Sequence, residues 1–148
     1  MTRTLAPVTR TALVRCSPER AFEVFTEQIA AWWPLQSHSV YEDDASTVGF
    51  VDGQIVERAS DGRTDVWGEV LKWEPPAQLS FTWHPGKPDG HRTQVTVSFR
   101  PEGDGTRVDL EHIGWEIFGE DAEATRTSYD GAKGWTGVFT CFADQFHR

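Results

Sequence analysis

His112 is the residue in this sequence best placed for proton chemistry. It follows Val108 and Leu110 at alternate positions, with Arg107, Asp109 and Glu111 on the other phase, so on a strand it joins an apolar face. An imidazole there could accept a proton or orient a polar group of a ligand. A histidine satisfied within a core gives the same pattern, and no motif sets a carboxylate or nucleophile beside it. His84 and His91 bracket a turn rich in proline and glycine, with Asp89 nearby. A hairpin could bring those imidazoles face to face around a metal ion, but no fourth ligand stands near, and no metal is expected. Cys16 and Cys141 lack metal-ligand spacing and a nucleophile context, which predicts reduced thiols. Gly103-Asp104-Gly105 lies between strand patterns with no helix after it, so it is a turn and not a phosphate cradle. No cofactor is expected.

The elements that must carry these residues are legible from periodicity. At about 100° per residue, Trp135, Val138, Phe139, Phe142 and Phe146 fall within an arc of about 100° on a helix. Toward the start of the same helix the sector narrows to small residues, Ala124, Ser128 and Gly131. The stripe tapers from bulky to empty, and Glu120-Asp121-Ala122-Glu123 gives the helix an acidic first turn. Val8 to Val14 reads as a first strand. Ser17-Pro18-Glu19 then supplies an N-cap, a proline at the first helical position and an early negative charge. Phe22, Phe25 and Ile29 mark one buried helical face, and Trp32-Trp33-Pro34 ends a short continuation because a residue before proline resists the helical region. Ile55 to Arg58 and Thr64 to Trp73 form a hairpin around Ser60-Asp61-Gly62, after which Pro75-Pro76 imposes a turn. Leu79, Phe81 and Trp83 share one strand face, and Val95, Val97 and Phe99 share the next. Asp104-Gly105 turns the chain into the strand that ends at His112. The acidic run Glu42-Asp43-Asp44 reads as a solvated loop.

The order is strand, helix with a short second helix, about five or six antiparallel strands, and a long closing helix. A sheet with one charged and one apolar face needs the apolar face covered, and only the last helix is long enough. The fold class is therefore α+β, a curved antiparallel sheet wrapped around a long C-terminal helix. A cavity would sit between the sheet and the tapered half of that helix, walled by Trp33, Phe81, Trp83, His112, Trp115 and Trp135. The same rings could simply fill a dense core, with Gly131 and Gly134 allowing close helix-to-sheet contact. Trp115 falls on the opposite phase after Gly114, which places it at a rim.

At 148 residues and 38% hydrophobic, the chain supports one core, and residues 1–148 are expected to form a single domain. A formal net charge of -9 opposes nucleic acid and anionic membrane surfaces as partners. No apolar run approaches the roughly 20 residues that span a bilayer, and the first residues lack the apolar core of a signal peptide, so a cytoplasmic protein is expected.

The succession Ser17-Pro18-Glu19-Arg20-Ala21-Phe22-Glu23-Val24-Phe25, Trp32-Trp33-Pro34, Gly68-Glu69-Val70-Leu71-Lys72-Trp73-Glu74-Pro75-Pro76, Leu79-Ser80-Phe81-Thr82-Trp83 and Gly134-Trp135-Thr136-Gly137-Val138-Phe139 resembles the START-like or Bet v 1-like helix-grip superfamily. Within it, the chain resembles single-domain bacterial proteins similar to the C-terminal domain of the Hsp90 ATPase activator. The likeness covers nearly the whole chain. One departure is Asp52-Gly53 where similar proteins carry paired glycines. The resemblance implies non-enzymatic binding of a small hydrophobic or aromatic molecule, with a stress or resistance response as its setting. It also leaves open a co-chaperone partner, a polyketide cyclase or aromatase-type activity in which His112 would serve as acid or base, and a monomer or a homodimer.

Overall fold

The computed structural model describes residues 5–35, 37–85 and 92–146. Seven strands make one antiparallel sheet: β1 (Val8–Val14), β2 (Ala45–Val51), β3 (Gln54–Ala59), β4 (Thr64–Glu74), β5 (Gln78–Trp83), β6 (Thr93–Glu102) and β7 (Gly105–Ile113), in the order β1-β7-β6-β5-β4-β3-β2. All neighbours but β1 and β7 are consecutive in sequence. The first strand returns to pair with the last, Val8 opposite His112 and Val14 opposite Thr106.

Helix α1 (Pro18–Thr26) starts where its cap predicts, with the Ser17 hydroxyl accepting from the Arg20 backbone N–H at 3.2 Å. Helix α2 (Ile29–Trp32) stops at Trp33, held extended (φ -65°, ψ 129°) ahead of Pro34. Phe22, Phe25 and Ile29 are all buried, and the Phe25 ring packs edge-on to Phe142 at 5.3 Å. Asp52 and Gly53 adopt φ 50° and 78°, a two-residue hairpin turn with both residues left-handed, so the departure from paired glycines leaves the turn intact. Strand β2 is an element that the sequence pattern does not announce, since only Val48 in it is buried. The acidic residues Glu42–Asp44 form an exposed turn of 3-10 helix before it.

The apolar sheet face is continuous across the strands. Val8, His112, Val95, Phe81 and Val70 are paired in sequence across β1, β7, β6, β5 and β4, and the first four of them are buried. Over this face lies the long C-terminal helical arm, divided in two: α3 (Ala122–Asp130) and α4 (Gly137–Asp144). The aromatic stripe lands as its spacing requires, with Trp135, Val138, Phe139 and Phe142 buried. The division falls at Gly131, whose ψ is 179°, and at Gly134, with φ -101° and ψ -130°. Gly134 has no room for a side chain, because a Cβ there would lie 2.1 Å from the Tyr129 carbonyl oxygen. The expected role of Gly134 in helix-to-sheet contact is thus replaced by contact with the end of α3. Arg10 of β1 braces the interruption: its guanidinium donates to the Asp130 carbonyl (2.6 Å) and carboxylate (3.0 Å) on one side and to the Thr136 hydroxyl (3.0 and 3.2 Å) on the other.

Candidate functional site

Beneath the interruption lies a partly open cavity of about 500 Å³, a size common for small-molecule sites. Its wall has three sources. The arm contributes Ser128, Tyr129, Gly134, Trp135 and Val138; the end of β5 contributes Trp83 and Pro85; and the segment after α2 contributes Trp33, His38, Ser39 and Val40. The indoles of Trp33, Trp83 and Trp135 stand 5.6–6.1 Å apart, centroid to centroid. This spacing suits tilted and edge-on aromatic contacts. Among the described wall residues none is lysine, arginine or a carboxylate.

Of the six rings expected in the wall, Trp33, Trp83 and Trp135 line the cavity, and Phe81, His112 and Trp115 do not. Phe81 packs behind Trp83, with centroids 5.8 Å apart. Trp115 is not at a rim. Gly114 turns the chain with φ 96° and sends the indole inward, where it is fully buried, 4.2 Å from the His112 ring, and donates to the His112 carbonyl at 3.1 Å. Strand phase could not foresee this, because a left-handed glycine resets it.

His112 sits behind Trp135 with no exposed surface. Its Nδ1 accepts from Trp135 Nε1 at 2.9 Å, which assigns the ring proton to Nε2. Nε2 then donates to the Thr93 hydroxyl at 2.5 Å, and Thr93 passes its own proton to the Trp83 carbonyl at 3.2 Å. This relay ties two walls of the cavity together through one neutral imidazole. Burial lowers the His112 pKa from 6.5 to about 3. A protonated ring would set an N–H against the Trp135 N–H. The geometry therefore makes His112 a fixed strut, without a free lone pair for a ligand.

Glu57 is a site residue that the sequence analysis passed over. Its carboxylate is fully buried and accepts from the Val40 N–H (2.8 Å), the Tyr41 N–H (3.0 Å) and Trp67 Nε1 (2.9 Å). It thereby fixes the segment that brings His38, Ser39 and Val40 to the cavity. The available signal was phase: Glu57 alternates with Ile55 and Ala59, both inward. Trp33 is locked by the same segment, donating from Nε1 to the His38 carbonyl at 2.7 Å.

One polar atom of the site is unmatched. The Trp83 side chain is 5% exposed, yet its Nε1–H has no hydrogen-bond acceptor among the described residues. An unmet buried donor costs about 1–3 kcal/mol. Burial pushes the pKa of the Tyr129 hydroxyl up, and the neighbouring Trp83 N–H offsets part of that rise. Both residues line the cavity.

The grouping of His84, His91 and Asp89, for which no metal is expected, falls partly outside the described residues, as His91 and Asp89 are not among them. Among the described residues no three histidines, cysteines or carboxylates gather as a metal site, and no helix is long and apolar enough to cross a membrane.

Residues 15–146 match the family model described as "Activator of Hsp90 ATPase homolog 1-like protein". The chain belongs to this family. No curated protein matches it. Among solved structures, this family member is similar to the anthrahydroquino-γ-pyrone synthase Txn09 complexed with SUM, at 31% identity over 97% of this chain and 99% of that one, with a TM-score of 0.62. CalC from Micromonospora echinospora, a self-sacrificing resistance protein, is 22% identical over 95% of this chain and 94% of its own, with a TM-score of 0.63. The Aha1 dimer from Colwellia psychrerythraea is 16% identical over 96% of each chain, with a TM-score of 0.63. The last two share the helix-grip fold with this family member, and at that identity they speak to the fold alone.

Proposed function

We propose that this protein encloses one flat, uncharged aromatic molecule in the cavity between the sheet and the C-terminal arm, with Trp33, Trp83 and Trp135 as its stacking walls. The observation that carries this reading is the open space of about 500 Å³ left between three mutually packed indoles. Native interiors are close-packed and hold few voids larger than a water molecule, and this space is many times that size. Phe81, His112 and Trp115 serve from behind, holding the walls in place. The similarity to Txn09 supports a polycyclic, oxygenated aromatic as the ligand class. We place this protein in the cytoplasm, as a monomer or a homodimer.

Ring closure on the bound molecule is the second reading, favoured by the same similarity to a pyrone synthase. In it the cavity would fold a flexible precursor into a reactive shape, and the proton-handling groups would be those that face the ligand, Tyr129, Ser128 and His38, with His112 excluded by its relay.

Native mass spectrometry of the purified protein, followed by organic extraction, tests enclosure directly. A stoichiometric adduct, or saturable one-to-one binding of the neutral dye Nile red that Trp135→Ala weakens, is the expected result. A bare protein mass together with no saturable dye binding would remove the reading. Consumption of a linear polyketide-type substrate by the pure protein would decide for the second.

A further inference from the structure

The three indoles that wall the cavity are 3–8% exposed, so its open mouth does not bare their faces. A ligand that reaches those faces must displace part of the wall, and the parts are held very differently. The end of β5 is fixed in the sheet between β4 and β6. The segment from His38 to Val40 is pinned by the buried Glu57 carboxylate and by the Trp33 indole. Helix α4 buries Val138, Phe139 and Phe142. Helix α3 is the exception. It supplies Ser128 and Tyr129 to the wall, yet Ala122 is its one buried residue. Its only aromatic foot is the half-buried Tyr129 ring, edge-on to His112 at 5.0 Å and tilted against Trp115 at 5.3 Å.

What holds α3 down is polar and partly exposed. Arg10 grips Asp130, with the two side chains 21% and 43% exposed. Arg126 of α3 donates to the Ala6 carbonyl at 2.5 Å and the Pro7 carbonyl at 3.0 Å, just before β1. Contacts of this kind exchange for water at small cost. Both ends of α3 are marked by glycine. Gly119, at φ 58° and ψ -120°, takes a conformation open to a residue without Cβ, and the break at Gly131 and Gly134 lies at the other end. Buried Trp115 anchors the chain before the first hinge, and buried Trp135 anchors it after the second. We infer that α3 is a flap hinged at Gly119 and at the Gly131 and Gly134 break, which swings away to admit the ligand and is latched shut by Arg10 and Arg126. Arg10 is posted to close it again. When Asp130 leaves, the Thr9 carbonyl (2.6 Å) and the Thr136 hydroxyl, on the body side of the break, keep the guanidinium in place.

This inference rests on the cavity being a ligand site, and the experiment separates the two. Arg10→Met keeps an apolar stem and removes every donor, and Arg10 is not among the described wall residues. Stopped-flow fluorescence follows Nile red as it enters and leaves. The flap opens for both steps and the latch does not touch the dye, so weakening the latch raises the open population alike in the free and the loaded protein. Association and dissociation should both accelerate about tenfold, the worth of the charged hydrogen bonds removed. The Kd should stay within about twofold of the wild type, because the two changes cancel. A residue that merely shapes the wall would raise Kd through faster release alone. Arg126→Met should act in the same direction, and it decides the matter should Arg10→Met not fold. Rates equal to the wild type in a folded variant, or a Kd raised through release alone, would overturn the flap and leave enclosure standing. No saturable binding of Nile red by the wild type would overturn both.

Discussion

The buried imidazole makes the protein acid-sensitive in a calculable way. Folded His112 has its pKa lowered to about 3 from 6.5; the unfolded chain regains the ordinary value. Between these two values the unfolded state binds a proton that the folded state refuses, so stability rises with pH there. The contribution is complete above the unfolded value of 6.5 and is lost as pH falls toward the folded value of about 3. Linkage over the whole interval amounts to about 5 kcal/mol. Acidification from about pH 7.5 to about pH 5, before most carboxylates titrate, removes about 2 kcal/mol of it, which corresponds to a fall of about 4–8 °C in Tm for a domain of this size. Urea unfolding followed by tryptophan fluorescence at the two pH values measures the loss. His112→Gln supplies the control: its amide does not titrate, and the other histidines are common to both proteins and cancel. The variant should be less stable at neutral pH yet lose about 2 kcal/mol less on acidification. Equal losses in the two proteins would refute the reasoning, as would an NMR titration of His112 near its unperturbed value or a spectrum placing the neutral ring's proton on Nδ1.

Two further perturbations follow from the site. Glu57→Gln keeps the shape but turns one acceptor into a donor against a backbone N–H, so it should cost about 2–4 kcal/mol in urea unfolding and weaken ligand binding by loosening the segment from His38 to Val40; unchanged stability would contradict the role of that carboxylate. Gly134→Ala meets a backbone carbonyl at 2.1 Å and should lower stability by more than about 2 kcal/mol, with amide exchange faster at Trp135 and Thr136; a variant as stable as the wild type would mean that the arm can run straight.

Much of the fold could be read in advance because local rules and tertiary demands agree. Ser17-Pro18-Glu19 caps a helix, Trp33 before Pro34 ends one, and the alternation from Val108 to His112 sets the phase of the whole sheet. The site was only half legible, for reasons that are physical and specific. Three of its indoles sit on regular elements or their ends, where parity and helical angle apply. Trp115 follows a left-handed glycine that cancels parity. The break at Gly131 and Gly134 goes with a close approach of Gly134 to the Tyr129 carbonyl, and a helical wheel drawn through it is right only for the second half: Trp135, Val138, Phe139 and Phe142 are buried, whereas Ala124 and Ser128 of the expected narrow sector are exposed and Ala122 is the buried residue of α3. Glu57 carries a charge that argues for solvent until its three N–H partners, 10 to 17 residues away, are known. His38, Ser39 and Val40 reach the cavity on an irregular segment, which has no period to read.

The Arg10 brace has a bearing on the order in which the molecule can be made. Arg10 belongs to the first strand, and its partners Asp130 and Thr136 are 120 and 126 residues later. Strand β1 itself has no neighbour in the sheet until β7 has been synthesised. A nascent chain can therefore assemble the meander from β2 to β7 while its opening strand waits. The cavity acquires its last wall only when the final helix has left the ribosome and the guanidinium can grip both sides of the interruption. Such long-range closure carries a large loop entropy and slows folding. Until that moment the indoles of Trp33 and Trp83 lack their cover, and a ligand present during synthesis would meet an open bowl.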